Sequence, residues 1–148
     1  MATTSASPTT SALSTRLVAG VAGGLAGGIV FGALMQMMGM MPMIAMLVGS
    51  GSPAVGWLVH LAISAFIGST YALLFAPLAG RLPTGAAAGA VYGLVWWGLG
   101  PLLIMPTLMG MPVLRINTMT GQSLMGHLVY GLVLGVAYAL LLPRLRRV

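Results

Sequence analysis

Four long apolar stretches alternate with short runs rich in Gly, Pro, Ser and Arg. The first covers Leu17 to Met38, the second about Ala54 to Leu78, the third about Ala86 to Ile104, and the fourth about Gln122 to Leu142. Each is close to the roughly twenty residues that a helix needs to cross the ~30 Å hydrocarbon core of a bilayer. Apolar character continues past the first stretch to Val48. One helix over that whole length would measure about 48 Å, too long for a single span. A break is therefore expected near Gly39 or Pro42, followed by a short interfacial or re-entrant piece that ends at GSGSP. Pro101 and Pro106 are expected to kink or end the third helix, because proline lacks the backbone N–H and clashes with the preceding turn.

The second and fourth stretches share a phrase. HLAISAFIGSTYALL (residues 60–74) and HLVYGLVLGVAYALL (residues 127–141) agree at seven of fifteen positions, including His60 with His127 and Tyr71 with Tyr138. The first and third match more weakly, Gly20, Gly24 and Gly28 falling on Gly85, Gly89 and Gly93. The pattern predicts an all-α, polytopic four-helix bundle built from two hairpins, residues 17–82 and 83–142. These would be parallel-related repeats about a pseudo-two-fold axis along the membrane normal. Residues 1–16, rich in Ser, Thr and Ala, are expected to be disordered and lack the features of a signal peptide. Residues 143–148 form a basic tail.

Composition sharpens this picture. Of 148 residues 59% are hydrophobic and 4% are charged, against about a quarter charged in a soluble domain. All six positive residues are Arg, and no Asp or Glu is present. Arg16, Arg81, Arg144, Arg146 and Arg147 fall on one side of a four-span topology, and Arg115 alone on the other. The positive-inside rule then places both termini in the cytoplasm, with the chain in the cytoplasmic membrane. This spacing marks topology rather than a basic face for nucleic acid. The expected surroundings are the lipid bilayer, and the partners a homo-oligomer or a larger membrane complex.

The first stretch carries Gly20, Gly24, Gly28 and Gly32 at four-residue spacing, a pattern that brings helix backbones close together in lipid. Ser64 and Gly68 lie on the His60 face of the second helix, Gly131 and Gly135 on the His127 face of the fourth. Each histidine thus heads a packing stripe and faces protein. If the two stripes face each other, no slot remains for a porphyrin. Haem held by both histidines requires them to pack on the first and third helices instead, or a site between subunits.

With no carboxylate, the chain has no Ser-His-Asp set, no paired acid/base site and no usual ligands for Mg2+ or Ca2+. An enzyme is not expected. Two features remain. MQMMGMMPMIAM (residues 35–46) holds seven of the thirteen Met, and Met105 occupies the matching end of the second hairpin. Thioether and imidazole together favour soft ions, so His60, His127, Met37, Met41 and Met105 form a candidate Cu(I) site. Met is also a flexible apolar filler, and an intramembrane His can serve as an interhelical contact. Tyr71 and Tyr138 are placed near the cytoplasmic ends, as interface anchors or as a polar relay from the histidines. The leading expectation is a non-catalytic binding, association or accessory role.

The phrases MMGMMPMIAMLVGSGSPAVGWLVHLAIS, VYGLVWWGLGPLLIMP and SLMGHLVYGLVLG resemble a group of small four-span membrane proteins of bacteria and haloarchaea. The likeness covers residues 17–142 and implies a membrane location with no assigned activity. Met37 and Met41 also resemble the Met-x3-Met helix of copper transporters. Those proteins have three spans and form trimeric pores, and there a separate helix carries the glycines.

Overall fold

The structure is a computed structural model and describes residues 8–147. All regular structure in that range is helical: α1 (Pro8–Met37), α2 (Met41–Met46), α3 (Pro53–Phe75), α4 (Leu82–Leu99), a π-helical turn (Gly100–Ile104), α5 (Met105–Leu108) and α6 (Thr118–Leu145). Four stretches are long and apolar enough to cross a membrane: Ala12–Met37, Pro53–Phe75, Leu82–Leu108 and Thr118–Leu145. The protein is a multi-pass membrane protein with an all-helical fold.

The boundaries follow local chemistry. Gly39 adopts φ +69°, a left-handed conformation that costs glycine nothing, and this ends α1. Pro42 then starts α2, and Pro53 and Pro83 lie in the first turns of α3 and α4, where a missing N–H is harmless. Helix α1 begins at Pro8, so residues 8–16 extend the first helix where disorder was expected. Proline suits a first helical turn, and no helix breaker follows it before Gly20. The remainder of the expected disordered segment, residues 1–7, lies outside the described residues.

The third span is kinked without being ended. Around Pro101 the ladder widens, and the Met105 N–H donates to the Gly100 carbonyl, five residues back. The helix then resumes as α5. The loop after it folds back through Leu114, whose N–H donates to the Leu102 carbonyl at 2.8 Å. Helix α6 starts four residues before the expected Gln122. Asn117 and Thr120 form a reciprocal cap: the Asn117 side chain accepts from the Thr120 N–H at 3.0 Å, and the Asn117 N–H donates to Thr120 Oγ1 at 2.8 Å.

Helix α1 is the hub of the bundle, with one glycine row for each neighbour. Gly20, Gly24 and Gly28 lie against Gly68 and Ser64 of α3, while Gly23 and Gly27 lie against Leu134 and Tyr130 of α6. In the second hairpin Gly85 and Gly89 of α4 meet Gly135 and Gly131 of α6, and Gly93 meets the His127 backbone. Without a hydrophobic drive in lipid, such backbone-to-backbone contact supplies the dispersion energy of association. The stripes of α3 and α6 therefore pack on the first and third spans and do not face each other.

A strict two-fold would pack α3 on α4 as closely as α1 packs on α6. Instead, α3 and α4 meet toward one end. Thr70 Oγ1 and the Tyr92 hydroxyl share a hydrogen bond of 2.6 Å, the Tyr71 hydroxyl donates to the Gly85 carbonyl at 2.9 Å, and Phe75 and Phe66 pack on Tyr92 and Trp96. Beyond Phe66 the helices diverge. The open wedge is at the end remote from the termini, and α2 and the α5 loop border it.

Candidate functional site

The wedge holds a cavity of about 620 Å³. Its walls are Ile63, Phe66 and Ile67 from α3, with Trp96, Gly100 and Ile104 opposite. Met35, Met40 and Met43 approach from one side, and Met105, Met109 and Met111 from the other. Phe31, His60, Ser123 and His127 form its inner end, while Arg115, Asn117 and Thr120 stand where the α5 loop enters α6. Polar groups thus occupy two limits of an otherwise apolar space.

The two imidazoles are held differently. His60 Nε2 lies 2.9 Å from the Gly28 carbonyl oxygen, which can only accept, so this nitrogen carries the proton. Its bond ties α3 to α1. His127 Nδ1 donates within α6 to the Ser123 carbonyl at 2.8 Å, with Ser123 Oγ at 3.3 Å. The neutral ring then leaves Nε2 as a lone-pair acceptor. That nitrogen faces Gly100, where an added Cβ would be 4.0 Å away. Glycine at the widened turn therefore keeps the approach to His127 Nε2 uncluttered.

Phe31 separates the rings. Its centroid is 5.5 Å from that of His60 and 4.9 Å from that of His127, both in edge-on geometry. It is 4% exposed and lies over Gly126, the position that makes room for it. The expected objection to haem, facing stripes, does not hold, since the stripes pack elsewhere. Haem between the two histidines still does not fit this geometry. The Phe31 ring occupies the space, and His60 Nε2, the usual axial donor, is bonded to Gly28.

The candidate soft-metal residues divide. His60, His127 and Met105 line one cavity. Met37 is 83% exposed and Met41 is 0% exposed, and neither lines it. Their four-residue spacing implies a shared face only on an unbroken helix, and Gly39 breaks the helix between them. Among the described residues no three His, Cys, Asp or Glu come together.

Tyr71 and Tyr138 are each 0% exposed, with ring centroids 5.5 Å apart. They are core residues, not interface anchors. The Tyr71 hydroxyl ends on the Gly85 carbonyl, and the Tyr138 hydroxyl is buried with no hydrogen-bond partner among the described residues. Tyr130, which the sequence pattern passed over, donates to the Ser64 carbonyl at 2.9 Å and joins α6 to α3. The hydrogen bonds from His60, Tyr71 and Tyr130 all end on backbone carbonyls, so they do not link into a relay. Trp97 Nε1 donates to the Thr120 carbonyl at 2.8 Å, and Trp57 Nε1 to Gln36 Oε1 at 3.1 Å, so both fasten helices together.

This asymmetry predicts different effects for the two histidines. His60→Ala removes an interhelical bond and should lower stability by about 1 kcal/mol. His127→Ala removes a bond internal to α6 and should change stability by no more than about 0.5 kcal/mol. Unfolding of both variants in bicelles reads the difference, and equal losses would contradict it.

The model of a family of unknown function, DUF6789, matches residues 10–147. The chain belongs to that family, in line with the expected resemblance to four-span proteins without an assigned activity. No curated protein and no solved structure matches the chain.

Proposed function

We propose that this DUF6789 member is a non-catalytic binding protein of the cytoplasmic membrane, which holds a small, largely apolar molecule between α3 and α4. The cavity carries this reading. At about 620 Å³ it is within the range of roughly 300–1,000 Å³ typical of small-molecule sites. It also has their usual chemistry, apolar walls with a few placed polar groups. The arginine distribution orients the chain with both termini inside, which places the cavity in the outer half of the bilayer. Ile63, Phe66 and Ile104 line the cavity and are 39%, 58% and 46% exposed. The wedge therefore opens sideways, toward lipid. A ligand already dissolved in the membrane can enter without crossing water.

Solvent extraction and mass spectrometry of protein purified in mild detergent test the proposal. One small apolar molecule per chain is expected, and much less in Ile63→Trp, which fills the wedge from its partly exposed wall. Equal content in both proteins, or none in either, would overturn the reading.

One observation favours a second reading, soft-metal binding. The His127 Nε2 lone pair and the Met105 side chain share the lining, and Cu(I) takes imidazole and thioether donors together. Elemental analysis after loading with Cu(I) should find about one ion per chain. His127→Ala should abolish it, while His60→Ala, whose Nε2 serves Gly28, should retain it. Copper retained in the His127 variant would remove this reading.

A further inference from the structure

We infer that the cavity is selective for an anionic amphiphile, a carboxylate or phosphate head on an acyl chain, with the head at Arg115 and the chain between α3 and α4. The inference rests on the binding role proposed above and adds the class of ligand.

Arg115 lines the cavity. It is the one Arg in the long stretch between Arg81 and Arg144, and the sequence contains no Asp or Glu at all. No side chain of this protein can neutralise it. A guanidinium at a membrane boundary pairs well with carboxylate or phosphate, whose oxygens match its fork of donors. Asn117 also lines this end of the cavity. Its side-chain oxygen is committed to capping α6, and its NH2 group remains to donate at the same place. Here α6 begins, so the positive end of a helix dipole adds to the field.

The remaining lining sets the other end of the ligand. Beyond Thr120 the walls turn apolar, through Trp96, Ile63 and Ile67. A free inorganic anion would gain nothing from them. A neutral apolar molecule would gain nothing from Arg115. Only a molecule with both parts uses the whole site. Inside a bilayer the acyl chain gives little net hydrophobic gain, because lipid surrounds it on either side of the transfer. Selectivity must then come mainly from the head, and so from Arg115.

Trp96 provides a reporter, since it forms part of the wall and a brominated acyl chain beside it would quench its fluorescence. The measurement uses the full chain carrying Trp57→Phe and Trp97→Phe, in discs of zwitterionic lipid. Three probes are titrated: a dibrominated fatty acid, the matching neutral alcohol and a dibrominated phosphatidylglycerol. At least one anionic probe should bind about fivefold more tightly than the alcohol. Preference for the acid identifies a free fatty acid as the source, and preference for the phosphatidylglycerol a lipid; either supports the inference. Arg115→Gln should remove the preference and leave the alcohol unchanged, while Arg115→Lys should keep most of it. Equal binding of all three probes, or an undiminished preference in Arg115→Gln, would overturn the head-group inference and leave the binding role intact. Absence of Trp96 quenching by every probe would overturn both.

Discussion

Gly131→Val should leave little folded protein. A Cβ at position 131 would lie 2.8 Å from the Gly89 carbonyl carbon and 3.1 Å from the Gly93 Cα, with the Gly89 oxygen closer still. All three are backbone atoms of α4, so no rotamer change can make room, and the helices must separate. Overpacking of this kind costs about 1–3 kcal/mol and sometimes more. Separation would also weaken the contacts of Gly85 with Gly135 and of Gly93 with His127, which lie along the same line. Gly131→Ala should lose about 2 kcal/mol, and Gly131→Val more. Gly98 is the control. It lies in the same α4 helix, and a methyl group added there would meet no other heavy atom within 4 Å. Gly98→Ala should be neutral or stabilising by roughly 0.5–1 kcal/mol, because alanine gives up less chain entropy in a helix. Denaturation in bicelles compares the three, and wild-type stability in Gly131→Ala would refute the packing scheme.

Phe31→Ala is expected to have the other large effect. Truncating a ring that is 4% exposed should cost about 3 kcal/mol, partly through lost contact and partly through the void it leaves. The void lies between the two imidazoles and opens into the cavity that Phe31 lines. A small aromatic molecule such as benzene should enter it and raise the melting temperature of the variant, with no comparable rise in the wild type. A variant as stable as the parent would mean that Phe31 does not hold the histidines apart. A variant that melts early but ignores benzene would mean that the bundle collapses into the gap.

The spans, the break at Gly39 and the face of each histidine were legible in the sequence because each rests on a local rule. Twenty apolar residues, a glycine after a helix and small residues every four positions act within one segment. The partner of each stripe was not legible. Ser64 and Gly68 could meet any small-residue face, and only the assembled bundle pairs them with Gly20, Gly24 and Gly28. Met37 and Met41 show how a correct spacing misleads once the helix carrying it has ended. Phe31 gave no signal, being one aromatic residue in an apolar run. The start of α6 was missed because its cap pairs Asn117 with Thr120, where the familiar box has Glu or Gln at the second position. The cavity exists because α3 and α4 diverge, and that long-range asymmetry is absent from two similar hairpin sequences.

The widened turn at Gly100–Ile104 has a consequence for the family's length variation. A π-helical turn accommodates one residue more than the α-helical path it replaces. It is the trace of a single insertion, absorbed without unwinding the span. Deleting Leu103 should restore the ordinary ladder and turn everything beyond it by about 100° around the helix axis. Met105 would swing out of the cavity wall, and the loop that carries Arg115 would leave from a different angle. A family member one residue shorter here could keep the four spans and their glycine rows, yet present another set of side chains to whatever the wedge receives.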